Sequence, residues 1–516
     1  MKTKNIIASA LLCALLSFLL PAQTATKTTP AGELRAAQRL EAARKNPLLL
    51  RGYMLSFPKG GDLHNHLSGA SYAENYIRWG AEMALCVDTH TFTYVSAKKD
   101  DGGNLVCADA NNQRPAKDVL TDPILYRNVI DVFSMRNFPV GENGEYHFFD
   151  TFGKFGAVSG ANFGNMLAEI VHRAAYQNEH YVELMVGLDG GIPYQAAAAS
   201  GTISGNDYMS YREKLSANGL AKAIPAGKKY IDDAEAQMHN QLHCGQSDAD
   251  IGCTVTVRYI FQVLRAMSRE RVFAQTLAGF MMCAGGSTDS DSRVVGFNYV
   301  QPEDAYVPMH DFSIQMDALD WLHKQYPNVK ATLHAGELTF GQVMPTDLGH
   351  HIRESIERGH ALRIGHGVDV MYDPHAAELL TRMAKEKIAV EINLSSNAAI
   401  LGVKGKDHPF PHYLKAGVPV ALSTDDEGVS RIDISHEYAR AVEEFGLNYA
   451  QMKMLSRNAL EFSFLAGKSI WQDRTAGKAV KECVVVKSDS CKNYASASDK
   501  AKVQLDLEMR FIEFEK

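Results

Sequence analysis

Eight short apolar runs punctuate the chain, each ending in polar or glycine-rich residues. They read "GGDLHNH", "HYVELMVG", "CTVTVRYIF", "SRVVGFNYV", "VKATLHAGE", "LRIGHG", "IAVEINLSSN" and "VPVALSTDDEG". The stretches between them have helix-forming composition. Short apolar runs alternating with helical segments are the pattern of a parallel α/β protein. Eight of them are enough to close a (β/α)8 TIM barrel. An open doubly wound sheet is the rival, but no glycine-rich dinucleotide fingerprint follows the first run.

The same pattern divides the chain. Residues 1–25 carry Lys2 and Lys4, then "IIASALLCALLSFLL" and the small, polar "PAQTATKTT". That order of charge, apolar core and cleavage region reads as a signal peptide. The run is short for a membrane span and no second candidate follows it, so export to a secreted or periplasmic location is expected. Residues 26–56 read as a helical N-terminal segment, 57–467 as the barrel and 468–516 as a C-terminal extension. Two spans exceed a minimal barrel, at about 80–141 after the first strand and 196–250 after the second. Long inserts of this kind are either functional or partly ordered on their own.

Composition narrows the class. With 516 residues, 46% hydrophobic and 22% charged, the chain has ample core for a large globular unit. Its net charge of −7 provides no basic footprint for nucleic acid. Export makes the cysteines informative, because disulfides persist in oxidising compartments. Six fall into local pairs, Cys86 with Cys107, Cys244 with Cys253 and Cys483 with Cys491, none with zinc-finger spacing. Cys283, in "GFMMCAGG", reads as a buried free thiol.

The chemistry sits at the strand ends. In "HNH", His64 and His66 are two residues apart, so a strand projects both imidazoles from one face. An isolated pair of this kind is more often structural than ligating. "TLHAGE" ends the fifth run with His334 and Glu337, "RIGHG" the sixth with His366, and "STDDEG" the eighth with Asp425 and Asp426. Each has a bland alternative: a turn, a loop, or a helix N-cap followed by a first-turn acid. Together, each on the C-terminal end of its own strand, they lie where barrel enzymes build active sites. Three imidazoles and a carboxylate suit one Zn2+ with room for water.

The set "PKGGDLHNHLSGA", "HAGE", "RIGHG", "SSN" and "STDD" resembles the metal-dependent adenosine/AMP deaminase family of the amidohydrolase superfamily. The "PKGG" lead, the leader, the cysteine-bearing insert and "RNALEFSFL" are most similar to its secreted adenosine deaminase growth factor branch. The resemblance runs from about Phe57 to Gly467. It implies one zinc held by His64, His66, His334 and Asp425. It further implies Glu337 as proton shuttle at the purine N1, His366 orienting or deprotonating the activated water, and Asp426 meeting N7. The implied reaction is hydrolytic deamination of adenosine or deoxyadenosine to inosine or deoxyinosine, with a purine nucleoside as the small-molecule partner.

Two departures bear on substrate fit. Ser68 stands where an acid often contacts the ribose, and a hydroxyl offers only a neutral hydrogen bond there. Gln301 stands near the point where many relatives place a glycine against the base. Other readings are a deaminase of AMP or adenine, a binuclear amidohydrolase using Glu303, and a non-catalytic extracellular binding protein. No convincing basic set for a phosphate is visible in the motifs, and the complete ligand and acid–base set argues against lost catalysis. The remaining histidines, His351 and His408 among them, read as structural or surface residues. The oligomeric state stays open, a homodimer included.

Overall fold

In the computed structural model, which describes residues 30–108 and 112–516, the eight runs form eight parallel strands of one sheet. They are β1 (Gly60–His66), β2 (Glu179–Val186), β3 (Thr256–Leu264), β4 (Val294–Val300), β5 (Ala331–Ala335), β6 (Ala361–His366), β7 (Ala389–Ile392) and β8 (Val420–Leu422). Their order in space is their order in sequence. Helices follow the strands and cover the outside, so both faces of the sheet are buried and the strands read as near-continuous apolar runs. β4 is buried at every residue, for example.

The ring is pulled shut at the first and last strands. Asp425 N–H donates to the His64 carbonyl at 2.8 Å, and His66 N–H donates to the Asp425 carbonyl at 2.9 Å. Two of the three residues that close the barrel's edge are therefore histidines of "HNH", and the third is the first acid of "STDD". The result is an α/β TIM barrel, as the run pattern predicts.

The inserts are ordered. Cys86–Asp88 forms a small antiparallel sheet with Tyr94–Val95 and Gln113–Pro115, and a disulfide joins Cys86 to Cys107. The second insert contributes helices Tyr208–Ala217 and Ala223–Gln241, with Cys244 bonded to Cys253. Cys483 and Cys491 form the third disulfide, and Cys283 is free and buried. The signal-peptide reading falls on residues outside those described. Among the described residues no helix is long and apolar enough to cross a membrane.

The N-terminal end of the barrel is packed by the segment before β1 and the last helix. Phe57, just before β1, packs its ring against Phe511 and Phe514 of the last helix, Asp499–Phe514, and against Tyr438 and Tyr449. Within the barrel, Arg363 of β6 is fully buried, with its guanidinium on Glu183 at 2.6 Å and on Glu391 of β7. A buried charge needs such pairing. The apolar pattern gives no hint of it.

Candidate active site

At the C-terminal mouth, the side chains of β1, β5 and the segment after β8 converge. His64 Nε2 lies 3.1 Å from His334 Nε2, and His66 Nε2 lies 3.3 Å from the same atom. Asp425 Oδ1 is 3.5 Å from His64 Nε2 and 3.3 Å from His66 Nε2. Ligand atoms about 2.0–2.1 Å from a tetrahedral zinc stand about 3.3 Å from one another. The four donors thus have the separations of a tetrahedral set, and they form one group able to hold a metal ion. Imidazole lone pairs this close repel unless a cation lies between them, which is the physical reason to read these contacts as a ligand cage.

Each imidazole is held at its other nitrogen. His64 Nδ1 is 2.7 Å from Glu391 Oε2, His334 Nδ1 is 3.0 Å from Asn298 Oδ1, and His66 Nδ1 is 3.4 Å from Gln262 Oε1. Such contacts fix the ring orientation and leave Nε2 free to ligate. Electrostatics follow from this crowding. Burial works against a charge on His64, yet Asp425 and Glu391 outweigh it and lift its pKa to about 10. Burial, reinforced by His64, drives His334 well below the usual imidazole range.

Glu337 and His366 sit beside this cage. Glu337 Oε1 is 3.3 Å from His366 Nδ1, and His366 Nε2 is 3.9 Å from Asp425 Oδ2. Burial, then the Asp425 and Glu303 charges, holds the Glu337 carboxyl well above the usual range. Its Oε1 is buried and has no hydrogen-bond partner among the described residues, and the same is true of Asp426 Oδ1. Burial, then Asp425, also raises Asp426. Two carboxyl oxygens buried without partners are costly unless a ligand meets them.

The cavity they face has a volume of about 330 Å3 and includes His66, His334, Glu337, Asp425 and Asp426 in its walls. Against this geometry the family comparison can be set. The family model described as adenosine deaminase matches residues 229–471, a span that contains His334, Glu337, His366, Asp425 and Asp426. Over that span the chain is similar to the adenosine deaminase family. The adenosine deaminase of Shewanella denitrificans is 38% identical over 151 residues, 29% of this chain and 41% of that protein. The chain thus spans about two fifths of the length of that curated relative. Among solved structures, the adenine deaminase of Arthrobacter aurescens superposes with TM-score 0.51 and 17% identity, covering 88% of this chain and 99% of that one. A zinc-bound amidohydrolase of Burkholderia ambifaria does so with TM-score 0.50 and 15% identity, covering 90% and 94%. At those identities the structures speak to the fold alone.

Several parts of this site are absent from its strand-end motifs. Helix Gly144–Ser159, which lies between β1 and β2, lends Phe148, Phe149 and Phe152 to the cavity wall. Glu303 accepts the N–H of Gly336 at Oε1 (2.9 Å) and of Glu337 at Oε2 (2.8 Å), and His351 Nδ1 lies 2.5 Å from the same Oε1. These bonds aim the "HAGE" turn. They also occupy both carboxylate oxygens of Glu303. A further relay sets His366. Phe410 N–H donates to His408 Nδ1, so His408 donates from Nε2 to Asn397 Oδ1 at 3.0 Å. Asn397 Nδ2 then donates to His366 Nδ1 at 2.9 Å. With Nδ1 accepting, the neutral His366 ring carries its proton on Nε2, the edge nearer Asp425. His351 and His408, read from sequence as structural, are structural in this specific sense.

The two substrate-fit residues divide. Gln301 lines the cavity with φ of +91°, a backbone conformation that favours glycine. Its Oε1 accepts Ala266 N–H at 2.8 Å, so only its amide NH2 is left for a ligand. Ser68 is half-buried on the short helix Leu67–Ala70 and does not line the cavity, so the expected ribose contact has no support in the cavity wall. Its neighbour matters more. A Cβ on Gly69 would stand 1.6 Å from Asp426 Oδ1, so only glycine admits that carboxyl.

Proposed function

We propose that the protein hydrolyses the 6-amino group of adenosine and deoxyadenosine, giving inosine or deoxyinosine and ammonia, with one zinc held by His64, His66, His334 and Asp425. The observation that carries this reading is the pairing of a tetrahedral donor set with two buried, partnerless carboxyl oxygens in one cavity. When bound there, zinc lowers the pKa of water to about 7 and so makes a nucleophile available at neutral pH.

The chain's own residues account for the remaining proton movements. Glu337, protonated because burial and its acidic neighbours raise its pKa, passes its proton to N1 as water adds to C6. Asp426 is likewise held neutral, which lets its carboxyl O–H donate to N7, an acceptor. His366, with Nδ1 occupied by Asn397, presents Nε2–H and orients the attacking oxygen as a donor. Of the two roles implied for it, the relay favours orientation over deprotonation. One proton of the added water restores Glu337 and the other passes from the C6 hydroxyl to the amino nitrogen; the C6–N bond then breaks, ammonia leaves, and the ring, keeping its N1 proton, becomes the 6-oxo purine. The phenylalanines of Gly144–Ser159 exclude water from the purine faces.

Export is part of the proposal. The leader-like residues 1–25 and three disulfides suit an oxidising compartment, as in the growth factor branch that the sequence resembles. Ammonia release from adenosine, deoxyadenosine, adenine, AMP and guanosine, each with the zinc-reconstituted chain, tests the substrate reading. The two adenine nucleosides should lead. A higher kcat/KM for AMP would overturn it, and two metals per chain would favour a binuclear centre.

A further inference from the structure

A second cavity, of about 680 Å3, opens at the opposite end of the barrel. It lies where Lys330 precedes β5 and Leu362 begins β6, and its other wall comes from the C-terminal extension. Four cationic side chains share it: Lys330, Lys468, Arg474 and Lys500. Two of these have structural work. Lys330 Nζ donates to the Phe464 carbonyl at 2.9 Å, and Lys500 Nζ donates to those of Glu461 and Ser463 at 2.8 and 2.9 Å. These bonds satisfy carbonyls just past the helix Tyr449–Glu461, where the helix dipole favours positive charge.

That role leaves much donor capacity uncommitted. An ammonium has three donors and a guanidinium five. Lys330 uses one, Lys500 uses two, and neither Lys468 nor Arg474 has a side-chain hydrogen bond to a described residue. Arg474 instead lies over the Phe462 ring at 4.9 Å. The acids present do not balance the cations. Glu461 Oε2 is taken by Ser469 Oγ at 2.6 Å and Gln504 Nε2 at 2.9 Å, which leaves Asp473 as the other carboxylate of the wall. The charges feel one another: burial lowers Lys500 to about 8, with Lys330 and Arg474 adding repulsion against Glu461.

The loop is also held in an unusual backbone. Asp473 and Arg474 have φ of +46° and +52°, consecutive left-handed residues without a glycine. Strain of this kind concentrates at ligand sites. Arg474 and Lys500 lie beyond the segment matching the deaminase family, whereas Lys330 and Lys468 lie within it.

We propose that this cavity binds a diphosphate-type anion, whose two charged groups engage Arg474 and Lys468 at the rim and the free donors of Lys330 and Lys500 within. The site is separate from the metal cage and independent of the deamination reading. Isothermal titration of the metal-loaded full chain with sodium pyrophosphate at low ionic strength tests it. One saturable site is expected, weakening as salt is added and binding inorganic phosphate about tenfold less tightly. Arg474→Ala should weaken pyrophosphate at least about tenfold, and Arg474→Glu with Lys468→Glu should remove binding, with deamination and unfolding temperature unchanged. Binding that persists unaltered in both variants, as metal-directed chelation at the mouth would, overturns the proposal. So does the absence of saturable binding in the wild type, or acetate binding as tightly as pyrophosphate.

Discussion

The two ends of the barrel bury polar groups to opposite effect. At the closed end, Lys59 is completely buried just before β1, and its ammonium donates to the carbonyls of Met54, Phe57 (2.9 Å) and Gln177 (2.5 Å). Every donor is met, so the residue serves the fold. At the mouth, Glu337 and Asp426 are equally inaccessible, but each keeps an oxygen without a partner. Burial alone therefore does not distinguish structural from functional polar residues. What distinguishes them is whether the hydrogen-bonding capacity is already used.

That contrast can be broken by substitution. Glu337→Gln should keep zinc and fold yet lose about 10² to 10⁴ in turnover, because the amide preserves shape and removes the proton. Metal analysis beside steady-state kinetics decides it, and near-normal deamination would sink the proton role. Lys59→Met should do the reverse. Three buried carbonyls lose their donor at about 1–3 kcal/mol each, so denaturant unfolding should register a loss of several kcal/mol while the folded fraction retains zinc and kcat.

Glu303 stands between the two classes, and pH separates them. Burial alone would raise its carboxyl, but the His351 hydrogen bond and the Arg265 charge outweigh this and bring it down to about 2. A depressed acid contributes stability that is fully present above its ordinary value of 4.5 and is lost as pH falls from there towards 2. The integrated loss is on the order of 3 kcal/mol. Acid unfolding of Glu303→Gln should lack this component over that window. An identical acid profile for variant and wild type would show that the carboxylate is not held as described. The smallest effect belongs to Ser68. Since its hydroxyl is outside the cavity wall, Ser68→Ala should change KM for adenosine by less than about tenfold, with kcat and metal content unmoved. A larger shift would place the nucleoside's sugar closer to that helix than the cavity does.

Much of the site was legible before the fold. The eight strands, the three cysteine pairs and the seven mouth residues His64, His66, His334, Glu337, His366, Asp425 and Asp426 are all marked by local signals: an apolar run, a turn, a polar residue at its end. Gln301 was found for the same reason. Ser68 lies outside the described cavity wall, on the short helix that directly follows β1. Phe148, Phe149 and Phe152 were missed because an aromatic-rich helix reads as core, and only its path across the mouth makes it a cavity wall.

Sequence by itself determined what depends on neighbours along the chain: strand periodicity, the identity of the candidate ligand side chains, and their position at strand ends. Tertiary structure decided how each polar atom is occupied. The Nδ1 of His366 is engaged by Asn397, which takes its own orientation from His408, and His64 is turned by Glu391, itself anchored to Arg363. Hydrogen-bond direction is fixed only when donor and acceptor meet in space, and these partners come from different strands and loops. The same holds at the closed end, where four cations become a cluster only because β5, β6 and the C-terminal extension pack around one cavity.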